Sequence, residues 1–315
     1  MRPALQQGHA EIILQRLDLP AESWLCHAKT RRRFADIAIF GSGDEGAEQA
    51  EFHERTSIPK AQPEANNTAL AAQAVPPQYR LVMKLTLRRS NERGHANHGW
   101  LDSYHTFSFA DYYDPEHMGF RSLRVINQDV IAPGAGFPTH PHRDMEIFSY
   151  ILWGALAHKD SMGNGRTLEP GQIQLMSAGK GVTHSEFNPS KTEGASLLQI
   201  WIRPNQRSLT PSYTEWHPKP EHDKAEKVLV ISSDGREDSA TIHQDADIYR
   251  VRLASGKSTT HEVNSGRGAW LQLIKGTVTI NGTQLQPGDA ASTEDTGTLT
   301  LTASSDAEAL LFDLA

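Results

Sequence analysis

Short apolar or alternating runs dominate the sequence from Met83 onward. Examples are "SLRVINQDVIAP", "IFSYILWGALAH", "GQIQLMSAG" and "ASLLQIWIRP". Gly, Pro and Asn punctuate these runs, and these residues favour turns. Short strands separated by turn signals are typical of an all-β sandwich or barrel. The pattern therefore predicts an all-β fold.

The first 82 residues have a different composition. The stretch "RTSIPKAQPEANNTALAAQAVPPQYR" is rich in Pro, Ala, Gln and Asn and has few large apolar side chains. Such a segment buries too little apolar surface to offset the entropy lost on folding. We predict that residues 1–82 form a largely disordered or irregular extension, with a short helix as the alternative.

An internal repeat divides the remaining chain. The segments "YILWGALAHKDSMGNGRTLEPGQIQLM" and "LQLIKGTVTINGTQLQPGDAAST" share the same order of strands, glycine turn and Pro-Gly turn, and Gly154 corresponds to Gly276. Two copies of one β unit predict two similar barrels in tandem. We place these domains at residues 83–215 and 216–315.

Composition narrows the classes of function. The formal charge of -7 and the pI of about 6.1 give no support to nucleic-acid or membrane-surface binding. The single cysteine, Cys26, excludes an intrachain disulfide and fits a reducing compartment. The sequence has no apolar stretch near the roughly 18 residues that a membrane helix needs, and its N-terminus lacks a secretory apolar segment. We therefore expect a cytoplasmic protein.

Two histidines stand at the head of an apolar run in "FPTHPHRDMEIFSYILWG". His140 and His142 are two residues apart, so they share one face of an extended strand. Pro141 between them disfavours a helix. Two histidines on one strand face are unusual for packing and natural for holding a metal.

A second pair with the same spacing follows in "GVTHSEFN", where His184 and Glu186 are two residues apart. A barrel can bring both pairs to its interior. Three imidazoles and a carboxylate suit Fe, Cu, Ni, Zn or Co. Four such ligands leave room for water, substrate or O2. Exposed turn histidines are the alternative, and the matched spacing of the two pairs favours the metal site.

These motifs identify a family. The segment "HPHRDMEIFSYILWGALAHKDSMGNGRTLEPGQIQLMSAGKGVTHSE" resembles the metal-site region of the pirin family, a branch of the cupin superfamily. The segment "ERGHANHGWLDSYHTFSFADYYDPEHMGFRSLRVINQDVIAPGAGF" resembles the start of the same family. The likeness is close from Met83 to about Glu215 and looser over the rest, which resembles the family's second cupin barrel.

The resemblance implies two tandem cupin domains with one mononuclear metal ion in the first. It assigns the ligand roles to His140, His142, His184 and Glu186. Iron is the first expectation, with Mn, Ni, Co, Cu or Zn as alternatives. Pirin-like chains typically begin near "MKLTLRRSNERGH", which starts here at Met83. Residues 1–82 are then either a lineage-specific extension or the result of a start codon placed too far upstream.

The second barrel lacks this ligand set. Aligning the glycine turns places Glu262 and Asn264 at the first histidine pair. Aligning the Pro-Gly turns places Leu301 and Ala303 at the second pair. His261 is close by, but one histidine cannot rebuild the site. We therefore expect a structural second barrel without metal.

Other histidines have simpler expected roles. His158 and Lys159 follow a strand of the site barrel and are expected to be solvated. His95, His98 and His105 are loosely spaced, which favours packing or hydrogen bonding over a second metal site.

The family resemblance implies two functions that share these ligands. One is a quercetin 2,3-dioxygenase-like enzyme, which opens a flavonol ring with O2 and releases carbon monoxide. Glu186 would then both ligate the metal and accept the substrate proton. The alternative is a metal- or redox-dependent regulatory protein that binds a protein partner, as a transcription cofactor does, without turnover. A cupin isomerase is a third alternative, since a fold does not define a function.

Overall fold

Residues 83–315 are the part of the chain that the computed structural model describes. The predicted N-terminal extension, residues 1–82, lies outside it. Within this part, nearly all regular structure is β-strand, with short 3-10 turns at Ser90–Glu92 and Arg236–Asp238. The all-β prediction is confirmed. No helix among the described residues is long and apolar enough to cross a membrane.

The first barrel consists of a seven-stranded sheet facing a four-stranded sheet. The large sheet has the order β12-β9-β6-β11-β4-β3-β2, and the small sheet has the order β5-β10-β7-β8. Their bounds are β2 Gly94–Asn97, β3 Leu101–His105, β4 Leu123–Ile131, β5 Gly136–His142, β6 Glu146–Trp153, β7 Leu156–Asp160, β8 Gly165–Leu168, β9 Ile173–Ser177, β10 Val182–Phe187, β11 Ala195–Ile202 and β12 Ser212–Trp216.

The second barrel repeats this arrangement. Its large sheet has the order β1-β20-β17-β22-β15-β13-β14, and its small sheet has the order β16-β21-β18-β19. Their bounds are β1 Thr86–Arg88, β13 Lys227–Ser232, β14 Ala240–Thr241, β15 Ala246–Leu253, β16 Ser258–Val263, β17 Gly268–Lys275, β18 Val278–Ile280, β19 Thr283–Leu285, β20 Ala290–Thr293, β21 Gly297–Ala303 and β22 Ala307–Leu314.

Equivalent glycines mark the internal repeat in three dimensions. Gly154 has φ +77° after β6, and Gly276 has φ +79° after β17. A Cβ atom on Gly154 would lie 2.7 Å from the Cα of Ala195, and one on Gly276 would lie 2.8 Å from the Cα of Ala307. Left-handed backbone and close approach both require glycine here. The repeat inferred from sequence is therefore present in the fold.

One strand crosses between the barrels. β1 precedes every strand of the first barrel, yet it pairs with β20 of the second, with Leu87 opposite Ala291. The domain limits 83–215 and 216–315 therefore remain a proposal, and strand pairing departs from them at β1 and at Trp216, the last residue of β12.

The two large sheets pack against each other through one apolar core. Phe148 and Tyr150 of β6 contribute to it from the first barrel, and Trp270 and Phe312 contribute from the second. On the opposite face of β6, Ile147 and Ile151 belong to clusters of the first barrel. β6 is thus buried on both faces, which explains why it lacks strict apolar-polar alternation.

Candidate metal centre

The first histidine pair lies on β5, an edge strand of the small sheet. Pro138 and Pro141 also lie on β5, which fits an edge because proline cannot donate a ladder hydrogen bond on that side. β10 pairs antiparallel with β5 and places His184 opposite His140. The register then shifts before Glu186, and such irregularities re-aim side chains near functional sites.

Three histidines converge inside the first barrel. Ligand nitrogens of His140, His142 and His184 all lie within 4.8 Å of one another, and all three side chains are buried. The Nε2 atoms of His140 and His184 are 3.0 Å apart. Two nitrogens that both ligate one metal at about 2.1 Å and about a right angle have this separation. The donor set fits one transition-metal ion.

Hydrogen bonding and burial prepare these imidazoles for coordination. His140 Nδ1 lies 2.8 Å from the carbonyl oxygen of Pro138, so Nδ1 donates and Nε2 is left free to face the cluster. Burial lowers the pKa of His140 and of His184, and burial with the nearby His140 lowers the pKa of His142 to about 3. All three are therefore neutral at pH 7, which is the form that binds metals.

Without metal, the protein is expected to lose stability as the pH falls below about 6.5, the ordinary histidine pKa. Among the described residues, burial lowers the pKa of five histidines in the folded protein, whereas unfolding lets them take up protons, so acid favours the unfolded chain. Asp129 and Glu186 have the opposite effect, because their raised pKa values favour the folded form in acid. These two carboxyl groups are outnumbered by the five histidines. The five are His105, His140, His142, His158 and His184.

The measurement is the melting temperature of metal-free protein between pH 7.5 and 5. Metal-loaded protein is the control, because bound metal holds its ligands deprotonated and should flatten the decline near neutral pH. A melting temperature of metal-free protein that stays level or rises over this range would contradict the assigned burial of neutral histidines.

Glu186 lies deeper in the same barrel. Its Oε1 accepts a hydrogen bond from Ser149 Oγ at 3.2 Å, and its Oε2 accepts one from Gln199 Nε2 at 3.2 Å. Burial raises its pKa to about 7, with a contribution from the charge of Asp129. Among the described residues, the cluster of donors within 4.8 Å holds the three histidines. Metal ligation and proton acceptance by Glu186 therefore stay predictions.

His158 differs from its expected role. Its side chain is 2% exposed, whereas the sequence predicted a solvated residue. It lies opposite Glu186 across the β7–β10 pair, with its ring 5.3 Å from that of His184 and stacked on Tyr213. Its strand continues alongside β10, so alternation turns His158 inward. Its two nitrogens, and Nδ1 of His184, have no hydrogen-bond partner in the described chain.

A cavity of about 300 Å³ opens beside the histidine cluster. Aromatic and aliphatic side chains form part of its wall, including Leu101, Phe109, Phe137 and Trp201. Trp201 meets His142 edge-on at 5.0 Å. The remaining lining residues are His95, Ala96, His98, Ser103, His105, Ala110, Asp111, Tyr112, Asn127, Asp129, His140, His142 and Gln199.

Polar side chains of the large sheet complete the cavity wall. Ser103 Oγ donates a hydrogen bond to Asp129 Oδ1, and His105 Nδ1 lies 2.9 Å from Asn127 Oδ1. These two pairs are alternate rungs of the β3–β4 ladder, separated by the Tyr104–Gln128 pair, so they lie on the same face of the sheet. His105 thus has the predicted hydrogen-bonding role and also lines the cavity. The wall presents oxygen and nitrogen groups within hydrogen-bond reach of a bound molecule.

The second barrel has apolar residues at the equivalent inner positions. Counting back from the equivalent glycines matches Ser149 with Leu271, and the strand registers then match Gln199 with Leu311. The same ladders match Asp129 with Val251. All three of these replacements belong to one apolar cluster. Folding of this barrel does not require the polar set, so its presence in the first barrel indicates function.

The structure corrects the sequence alignment of the second site. His261, not Glu262, occupies the position of His140, because it is the inward-facing residue on β16. It pairs with Leu299, so Leu299 corresponds to His184. His261 lies 2.9 Å from Asp313 through Nε2. Among residues 83–315 no group of three or more candidate metal-ligating residues forms in the second barrel.

The sequence pattern does not distinguish Asp129, Ser149 and Gln199 as site residues. Each is a buried polar residue in a strand that also carries several large apolar side chains, in "LRVINQDVI", "EIFSYILW" and "ASLLQIWI". That signal was present, but periodicity alone does not tell which face of a doubly buried strand meets the cavity.

Comparisons with known proteins match both barrels of this chain to family models. The family model described as Pirin matches residues 86–202, and the one described as Quercetinase C-terminal cupin domain matches residues 229–314. A quercetin 2,3-dioxygenase from Escherichia coli strain K12 is 51% identical over 229 residues, which cover 72% of this chain and 97% of that protein. A pirin-like protein from Caulobacter vibrioides is 42% identical, covering 70% of this chain and 96% of that protein.

Solved structures share the fold, and one of them holds a metal ion. The crystal structure of bacterial pirin YhhW in complex with nickel(II), from Escherichia coli, is 49% identical with a TM-score of 0.70. The match covers 73% of this chain and 99% of that one. A quercetin 2,3-dioxygenase from Acinetobacter baumannii, 20% identical with a TM-score of 0.58 over 72% of this chain and 85% of that one, shares the fold. With its histidine cluster and two cupin barrels, the chain belongs to the pirin family.

Proposed function

We propose that this protein is a metal-dependent dioxygenase that opens the ring of a flavonol such as quercetin with O2. The observation that carries the proposal is the neutral three-histidine cluster beside a cavity, in a barrel whose buried Asp129, Ser149 and Gln199 are replaced by apolar residues in the second barrel. The names of relatives at 51% and 43% identity, quercetin 2,3-dioxygenase and putative quercetin 2,3-dioxygenase, support an oxidoreductase of this kind. The 49% identity to a nickel-bound pirin supports a metal.

One transition-metal ion would be held by His140, His142 and His184, with Glu186 as the proposed fourth ligand. We propose iron, while the nitrogen and oxygen donors also accommodate nickel. The ion would act as a Lewis acid that lowers the pKa of a bound hydroxyl group.

The protein's own groups supply binding and proton transfer. Phe109, Phe137 and Trp201 give the cavity apolar faces that can receive a planar aromatic ring and exclude water. Glu186 is the proposed acceptor of the substrate hydroxyl proton, and its pKa near 7 suits a base that works at neutral pH. Ser149 and Gln199 hold its two oxygens in place.

The test is aerobic incubation of metal-loaded protein with quercetin. We expect loss of quercetin absorbance and release of carbon monoxide, both dependent on O2 and on bound metal. Metal-stripped protein is the control for uncatalysed oxidation. Turnover that is the same with and without metal, or absent for every flavonol tried, would reject the dioxygenase function and favour a regulator that binds a protein partner.

The cavity favours the enzyme over the regulator. A redox-dependent regulator needs a surface that changes with the metal, whereas the three histidines are buried, and His140 and His142 line a concave pocket. We propose the cytoplasm as the compartment, because the chain has one cysteine and its charge of -7 gives no support to nucleic-acid or membrane binding.

A further inference from the structure

Asp129 is the one carboxylate among the cavity-lining residues whose side chain is almost fully buried, at 1% exposure. It lies on β4, opposite Ser103 on one side and Leu197 on the other. Ser103 donates to one of its oxygens, Oδ1. No other side-chain hydrogen bond or ion pair to Asp129 is found within residues 83–315.

The fold does not need a carboxylate at this position. Val251 occupies the equivalent place on β15 of the second barrel, inside its apolar cluster. Asp129 has a single side-chain hydrogen bond and lines the cavity, so its second oxygen depends on water or a bound ligand in that cavity for a partner. Burial raises the pKa of Asp129 to about 7, and among residues 83–315 the opposing influence is the Ser103 hydrogen bond and not a cation. A carboxylate at this position, despite the cost of its burial, indicates that a bound ligand donates a hydrogen bond to its second oxygen.

We propose that Asp129 is a specificity-determining residue that accepts a hydrogen bond from a second hydroxyl group of the aromatic substrate. This rests on the proposed function, and it defines the substrate class as a polyhydroxylated aromatic. One oxygen of that molecule lies at the histidine cluster, and another hydroxyl group meets the large-sheet wall at Asp129. An analogue without that hydroxyl leaves the carboxylate buried and unpaired, which disfavours its binding.

Neighbouring groups are consistent with this role. The side chains of Asn127 and Gln199 engage His105 and Glu186, respectively. Ser103 uses its hydroxyl group on Asp129 itself. Asp129 is therefore the acceptor on this wall with the most remaining capacity, because a carboxylate has two oxygens and about four lone-pair sites.

The test measures binding rather than turnover. The ligands are 3-hydroxyflavone and a panel of derivatives that each carry one additional hydroxyl group. Dissociation constants are measured with metal-loaded protein by tryptophan fluorescence quenching. Wild type is expected to bind the best derivative about 10- to 100-fold more tightly than 3-hydroxyflavone, the range for a hydrogen bond to a charged group.

Asp129→Val introduces the residue type found at the equivalent position of the second barrel. It should bring this ratio to within about twofold of one, because bound 3-hydroxyflavone then leaves no carboxylate without a hydrogen-bond partner. Asp129→Asn, which keeps size and polarity, covers the case in which the valine variant fails to fold, and should lower the ratio. The matched control is Asp160→Asn, a buried carboxylate of the same barrel that does not line the cavity and caps a turn at Asn164. Its ratio should equal that of wild type.

Three results would overturn the proposal. They are a wild-type ratio near one for every derivative, an unchanged ratio in both Asp129 variants, and a failure of every flavonol to bind. These results can be distinguished from a failure of the dioxygenase function alone. A clear ratio that depends on Asp129, without any ring opening, leaves Asp129 as the selective residue of a binding site.

Discussion

Replacing His140 with alanine is expected to remove bound metal from the protein. His140 supplies one of three nitrogens that lie within 4.8 Å of one another, and its Nε2 is 3.0 Å from that of His184. Removing a group that merely supports a metal ligand costs about 10- to 100-fold in affinity. Loss of a ligand should cost more, so purified variant should hold well under one ion per chain by elemental analysis.

His261→Ala is the matched control. His261 is buried at the equivalent position of the second barrel and contacts Asp313 instead of other histidines. This variant should lower the melting temperature, because Asp313 loses a partner, and should retain about one ion per chain. Two ions in the wild type, one of them lost in His261→Ala, would show that the second barrel also binds metal.

Replacing Glu186 with glutamine is expected to lower flavonol turnover per bound metal by about 10²- to 10⁴-fold, the contribution of a general base. Glutamine keeps the shape of the side chain, and its amide can still bond with Ser149 and Gln199, so the barrel should remain folded. Metal content and turnover must be measured on the same sample. Turnover that falls only in proportion to metal content would assign Glu186 a ligand role alone.

Glu146→Gln controls for the loss of a buried carboxylate. Glu146 is fully buried on β6 of the same barrel, does not line the cavity, and accepts a hydrogen bond from Ser177 at 2.7 Å. Turnover per metal should stay near that of wild type in this variant. A comparable loss in both variants would mean that the Glu186 effect reflects packing and not proton transfer.

Local pattern was sufficient to predict the all-β fold and to single out the histidines that cluster in the first barrel. Strand alternation and turn residues are properties of neighbouring positions, and the spacing of His140 and His142 places both on one strand face. The repeat was visible because Gly154 and Gly276 meet the same steric requirement in both barrels. These features follow from short-range geometry, which a single sequence records.

Which inner side chains meet the cavity was decided by the tertiary structure. β6 and β11 are buried on both faces, because one face packs on the second barrel and the other lines the first. Alternation then no longer separates core from solvent, so Ser149 and Gln199 could not be assigned to the site. The predicted solvent exposure of His158 is wrong for a related reason, because the burial of this side chain comes from packing beside β10 and Tyr213.

The sequence by itself determined the all-β class, the tandem repeat and the three-histidine set, because each depends on residue type and local spacing. Only the tertiary structure decided that His261 takes the place of His140, that β1 joins the second barrel, and that Asp129 faces the cavity. These depend on strand register and on contacts between residues far apart in the chain. A shift of one residue exchanges the two faces of a strand, so register must be observed before its inward side chains can be named.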